Sequence, residues 1–242
     1  MIRTLNLRWS VVVFMVVTVC LLLFFASIPK HASAEERNPV VFVHGYTGND
    51  WNFISLMNYL KRQGWPDSHV SAIQYSNNLG SNVNNAHELS AFVDNVLART
   101  GADKVDLVAH SMGGLSTRYY IKNLDGGSKV ANLVTIGSPH QGTYNAVWGS
   151  ATAGAREMIP GSLFLLRLNA GDETPDGTDP NNPILYTTIY STGDTLVPTY
   201  RTTLDGARRV RVIGVSHIGL LTSSTVERHV LDALNGGGLN DN

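Results

Sequence analysis

Apolar residues along this chain alternate between short dense runs and longer stretches where they recur every third or fourth position. Pro39-Val40-Val41-Phe42-Val43 is a run of the first kind and reads as a buried strand. Asp50 to Arg62 is of the second kind, with Trp51, Ile54, Leu56 and Leu60 at amphipathic helical spacing. The alternation continues with a strand at Val70 to Tyr75, a helix at Glu88 to Arg99 and a strand at Val105–Ala109. A helix follows from Met112 to about Asn123, then strands at Val130–Ile136, Ile184–Tyr190 and Arg209–Gly214, and a closing helix from Ser224 to Leu234. Strands alternating with helices predict βαβ units, a mostly parallel central sheet and helices on both faces. The fold class is α/β.

The first 34 residues do not fit that alternation. Arg3 and Arg8 precede an apolar run from Val11 to Phe25, and Ala32-Ser33-Ala34 supplies small residues behind it. This is the pattern of a secretory signal peptide cleaved after Ala34, and the run is short for a membrane span of ~20 residues. The expected organisation is therefore a signal segment at 1–34 and one domain at 35–242, secreted, with no stable membrane anchor after cleavage. Cleavage leaves 15 basic against 19 acidic residues, a net charge of −4 that gives no reason to expect nucleic acid. The only cysteine, Cys20, leaves with the signal, so the mature chain has neither a disulfide nor a thiol nucleophile. Nothing in the sequence demands an oligomer, and a monomer is expected.

In parallel sheets, sites form beyond the carboxyl ends of the strands. Four loops at such ends carry candidate chemistry. "HGYTG", His44 to Gly48, follows the first strand, and its glycines let the backbone approach a ligand. Ser111 stands at the corner between the strand at Val105 and the next helix, flanked by the small residues Ala109 and Gly113. A sharp strand-to-helix turn needs such neighbours to project a serine hydroxyl from the sheet. "YSTGDTLVP" holds Asp194, and "GVSHIG" holds His217. Singly, the first loop and Asp194 read more readily as turns and His217 as a structural histidine, whereas the small neighbours and preceding strand already mark Ser111 as a nucleophile. Together, Ser111, Asp194 and His217 occur in the chain order expected of a Ser-Asp-His triad at successive strand ends. In that reading His217 activates Ser111, Asp194 orients His217, and the backbone N–H groups of Tyr46 and Met112 stabilise the oxyanion.

"NPVVFVHG", "VDLVAHSMGG", "YYIKNLDGG", "LDGAR" and "GVSHIGLL" resemble the small secreted Bacillus-type lipases of the α/β-hydrolase superfamily. That family carries Ala-His-Ser-Met-Gly at its nucleophile turn, which accounts for Ala109 where glycine is usual. The resemblance runs from Asn38 to the Gly-rich tail. It implies a compact α/β-hydrolase fold, triacylglycerol lipase or carboxylesterase activity on acylglycerols or other esters at a lipid–water interface, and no metal or organic cofactor. Ser111, Asp194 and His217 would be catalytic, with Tyr46 and Met112 as oxyanion donors.

One region departs from the minimal pattern of that family. About 45 residues separate the strand ending near Gly137 from the one starting near Ile184, longer than most such connections. This stretch, 138–183, contains the apolar "MIPGSLFLLRLN" and reads either as a lid or acyl-binding wall over Ser111 or as an extra helix packed on the sheet. His140 within it is a rival base, ranked below His217 because it precedes the acid and lacks the last-strand position. Asp172, Asp176 and Asp179 do not match the spacing of a calcium loop, and His110 reads as a packing or supporting residue. Short-chain carboxylesterase or polyester hydrolase is the alternative within ester hydrolysis. A binding protein on the same fold, or an amidase, is the alternative outside it.

Overall fold

The computed structural model describes residues 37–237, so the segment expected to be a signal peptide and the last residues of the tail lie outside it. Six strands form one sheet: β1 (Val40–Val43), β2 (Val70–Ile73), β3 (Val105–His110), β4 (Val130–Ile136), β5 (Leu185–Ser191) and β6 (Arg208–Val212). Every pairing is parallel, in the order β2-β1-β3-β4-β5-β6. The longer helices are α1 (Ile54–Arg62), α2 (Asn82–Thr100) and α3 (Gly113–Asn123), with α4 (Ala153–Met158), α5 (Leu163–Leu168) and α6 (Ser224–Leu234) after them.

β1 shows why its burst of apolar residues has to be a strand between two helical layers. Val40 and Phe42 pack with Phe53, Leu56 and Leu60 from the α1 side and Val226 and Val230 of α6. Val41 and Val43 face the opposite way, onto Ala86, Leu89 and Val93 of α2 and Tyr120 of α3. All four β1 residues are fully buried, each worth ~1.5–3 kcal/mol of transfer free energy. A polar residue at any of them would face a helix instead of water. The continuous apolar run is the signature of that two-sided burial.

Element ends were less legible than element interiors. α2 begins at Asn82, well before the expected start at Glu88, because polar groups open it. Ser81 caps the helix by accepting from Val83 N–H at 3.1 Å, and Gly101 closes it in the left-handed conformation at φ 71°. The first turn of the expected helix at Asp50 is a 3-10 turn, Asp50–Phe53, that runs into α1. The apolar stretch from Met158 to Asn169 is not one helix. Ile159 is extended ahead of Pro160, which separates α4 from α5.

The chain runs from β1 to β2 on one side and returns to place β3 on the other, so the winding reverses between β1 and β3. A crevice opens at the carboxyl ends of those two strands, and the His44–Gly48 loop and Ser111 both sit there. Among the described residues, no helix is long and apolar enough to cross a membrane.

At the opposite end of β3, Asp106 is buried between Asn132 and Asn38, whose side-chain amides donate to it at 2.7 and 3.2 Å. Burial outweighs those bonds and pushes its carboxyl up to about 6. The folded state therefore holds that proton more tightly than the unfolded chain. This contribution favours folding at low pH and is lost as pH rises through about 6. Urea unfolding of Asp106→Asn against the parent should show the parent losing roughly 1–3 kcal/mol relative to the variant between pH 4 and 7.

Candidate active site

Ser111 occupies a backbone conformation that serine rarely adopts, φ 54°, between β3 and α3. Its N–H donates to Ile136 O at 2.9 Å and its carbonyl accepts from Gly114 N–H at 3.1 Å, so the neighbouring strand and the helix hold the strained turn from both sides. The turn needs the glycine at 113. A Cβ there would lie 2.5 Å from Val43 O and 2.7 Å from His44 O, both backbone atoms. Across the gap, a Cβ on Gly45 would meet Ser111 Cβ at 2.7 Å. The loop after β1 and the turn after β3 are thus in direct backbone contact. Ala109, by contrast, is fully buried and packs with the α2 side of the core, so a methyl group is accommodated there.

The loop after β1 is fixed by His44. Its Nδ1 lies 2.9 Å from Gly45 O and its Nε2 accepts from Tyr75 N–H at 3.2 Å. That pairing requires the proton on Nδ1 of a neutral ring, and burial lowers the His44 pKa accordingly. Among the described residues, the backbone N–H groups of Tyr46 and Met112 have no hydrogen-bond partner.

Asp194 and His217 come together from the loops after β5 and β6. His217 Nδ1 lies 2.6 Å from Asp194 Oδ2, with both side chains buried. The other carboxylate oxygen, Oδ1, accepts from Leu196 N–H and Val197 N–H, each at 2.9 Å. The carboxylate is consequently bonded on both oxygens, as a buried charge must be. Ser191 Oγ joins the two loops by accepting from Gly193 N–H at 3.1 Å and Val215 N–H at 3.0 Å. A Cβ on Gly137, after β4, would come within 3.2 Å of both Asp194 Oδ2 and His217 Nδ1, which explains a glycine at that strand end.

Ser111 and His217 line one cleft of about 290 Å³. Its remaining wall is largely apolar: Ala146, Ala155 and Met158 from the 138–183 connection, with Val197 and Leu221 opposite. The structure thus brings the triad candidates to one end of the sheet and sets part of the long connection beside them. It does not bring in His140. That ring is fully buried, its Nε2 lies 3.0 Å from Thr135 Oγ1, and it is absent from the cleft wall. Burial, then the nearby Arg118, holds its pKa well below the ordinary value. His110 has a supporting place, donating from Nε2 to His217 O at 3.1 Å. Burial and the adjacent His217 push it down to about 3, so it stays neutral. The spacing of the sequence did not reveal this bond, because a side chain beside the serine reaches a carbonyl 107 residues away. Among the described residues, no group of three or more His, Cys, Asp or Glu side chains is placed to hold a metal ion. Asp172 and Asp179 instead accept from Thr174 N–H and Asn181 N–H in local turns.

The sequence pattern of the family described as Lipase (class 2) matches residues 37–158, half of the chain. The chain belongs to the class 2 lipase family. The match holds the β1 loop and Ser111 but ends before Asp194 and His217. A triacylglycerol lipase of Burkholderia plantarii is 36% identical over 124 residues, 49% of this chain and 34% of that protein. One from Pseudarthrobacter phenanthrenivorans is 37% identical over 116 residues, 46% of this chain and 35% of that protein. The matched stretch thus spans about a third of the length of these curated relatives. Among solved structures, the mature form of a Bacillus licheniformis lipase superposes with a TM-score of 0.71 at 17% identity, covering 86% of this chain and 94% of that one. Aspergillus fumigatus lipase B gives 0.69 at 18% identity, over 86% of this chain and 55% of that one. At such identities the shared feature is the α/β-hydrolase fold.

The backbone contact around Ser111 makes a direct prediction. Gly113→Ala should cost ~1–3 kcal/mol or more in urea unfolding, because the clash is with rigid backbone. Gly127→Ala, where an added Cβ meets nothing nearer than 3.4 Å, should be close to neutral in the same assay.

Proposed function

We propose that this chain is a secreted triacylglycerol lipase that cleaves carboxylic esters through an acyl-enzyme on Ser111. The observation that carries the reading is the buried Asp194–His217 pair converging with the strained Ser111 turn on one apolar cleft. Ser111 Oγ attacks the ester carbonyl carbon while His217 Nε2 takes its proton. His217 then returns the proton to the leaving alcohol oxygen, and water repeats the sequence on the acyl-enzyme. Asp194 holds the Nδ1–H tautomer and stabilises the imidazolium. The N–H groups of Met112 and Tyr46 receive the oxyanion, a contribution of ~2.7–4 kcal/mol per donor in comparable sites.

An acylglycerol substrate is supported by the apolar cleft wall and by the exposed Leu196 and Ile218 at its edge. The names of the curated relatives, triacylglycerol lipases, agree with it. Residues 35–242 would act as one hydrolase domain, with the 138–183 connection as an insertion walling the acyl site.

Hydrolysis of p-nitrophenyl esters from acetate to palmitate, with emulsified triolein beside them, tests the proposal. Ser111→Ala should lose at least ~10⁴-fold in rate while unfolding at the parent temperature, and Asp194→Asn should lose ~10⁴-fold. Activity on long chains and triolein supports a lipase, whereas activity confined to short esters moves the assignment to carboxylesterase. Protein recovered from the medium should begin at Glu35 by N-terminal sequencing; an intact amino-terminal segment there would refute the cleavage.

A further inference from the structure

The stretch from Thr143 to Met158, between β4 and β5, touches the proposed oxyanion site and the acid loop through polar bonds at defined atoms. Tyr46 Oη lies 2.9 Å from Thr152 Oγ1. Thr152 has one hydroxyl proton, and it goes to Gly149 O at 2.9 Å. The Tyr46 hydroxyl is therefore the donor in the pair, and Thr152 Oγ1 spends its second acceptor site on Ala155 N–H at the start of α4. Gly149 gives the tyrosine hydroxyl its room, since a Cβ there would sit 2.8 Å from it.

The same stretch reaches the other oxyanion candidate. Gly154 lies so close to Met112 that a Cβ would stand 2.8 Å from its Sδ, and Gly154 N–H donates to Leu79 O at 3.1 Å. One turn on, Glu157 accepts from Ser81 Oγ and Asn82 N–H, each at 2.6 Å, which fastens α4 to the start of α2. At its other end, Thr143 Oγ1 and Asn145 Nδ2 donate to Leu196 O at 2.7 and 2.9 Å. Leu196 N–H in turn donates to the Asp194 carboxylate.

From these contacts we propose that residues 143–158 act as a fixed brace for the oxyanion site, with the Tyr46 hydroxyl and Thr152 as positioning residues. The inference rests on the reading of Tyr46 and Met112 N–H groups as the oxyanion donors. The Tyr46 loop is anchored at its base by His44 and closed by Gly48 N–H donating to Gly45 O at 3.0 Å, with Thr47 N–H donating to Asn78 O at 3.2 Å. Two glycines flank it, and Thr47 stands in the left-handed region at φ 61°. Its N–H is useful only if already aimed where charge develops, and a displacement of about 1 Å can cost ~10²-fold in rate. The tyrosine side chain adds a further restraint from outside the loop, at the residue whose N–H would meet the oxyanion. The brace would thus act on the transition state more than on substrate binding.

The test is steady-state hydrolysis of a soluble ester, p-nitrophenyl butyrate, by the protein recovered from the medium and five variants: Tyr46→Phe, Thr152→Val, Thr152→Ser, the Tyr46→Phe/Thr152→Val double, and Ser111→Ala. Tyr46→Phe removes one oxygen and should lower kcat about 10- to 100-fold with KM within about threefold. Its affinity for a trifluoromethyl ketone, whose hemiketal oxygen mimics the oxyanion, should fall in parallel. Thr152→Ser should keep the parent kcat, and the double variant should be no slower than the slower single variant. A parent-like kcat in Tyr46→Phe, or additive losses in the double variant, would overturn the brace while an inactive Ser111→Ala leaves the ester-hydrolase reading standing. Full activity in Ser111→Ala would overturn both.

Discussion

Two backbone segments nearly touch at the carboxyl ends of β1 and β3, and the rest of the site is arranged around that contact. Side chains cannot intervene there: Gly113 lies against Val43 and His44 carbonyls, and Gly45 lies against Ser111. The contact has a simple geometric origin. The sheet reverses its winding between these strands, so their loops diverge from neighbouring lanes with no connection between them. Only bare α-carbons allow the two loops to approach this closely. The positive φ of Ser111 follows from the same demand, because the chain must turn from strand to helix within two residues, Ser111 and Met112.

A second layer of the design concerns buried polar groups. Asp194 is buried and bonded on both oxygens, so its charge is held without leaving an orphan. His217 is held at its ring by Asp194 and at its carbonyl by His110. His44 and His110 are kept neutral by burial and serve as directional hydrogen-bonding groups. Three histidines around one serine therefore divide into one base candidate and two scaffold members. Their surroundings separate them, since residue type does not.

The 138–183 connection behaves differently from the sheet helices. α4 and α5 are short, and much of their attachment is polar, through Thr143, Thr152, Glu157 and Asn169. Arg118 donates to Asn169 Oδ1, while Lys122 donates to the carbonyls of Leu168, Ala170 and Asp172. These cations neutralise the carboxyl end of α5, which has too few turns to be stable alone. The outer face mixes exposed apolar residues, Trp148 at 93% and Leu163 at 71%, with the exposed Arg156 and Arg167. Inward, Met158, Leu165 and Leu168 pack in one apolar cluster with Met112 and Leu115, so polar bonds and apolar burial together hold the segment.

The alternation of apolar runs determined the α/β class and the strand order along the chain, and strand-end position marked Ser111, Asp194 and His217 among many serines, aspartates and histidines. These features are legible because periodicity and turn chemistry are local: each is set by residues a few positions apart. Helix ends such as Asn82, where capping atoms replace apolar spacing, were visible only in part. The partners of Tyr46, His110 and Glu157 were not legible at all. Their contacts lie 106, 107 and 76 residues away in sequence, and a hydrogen bond is made only when distant segments arrive within about 3 Å at the right angle. The sequence determined what each segment could become; only the packed sheet decided which polar atoms would meet.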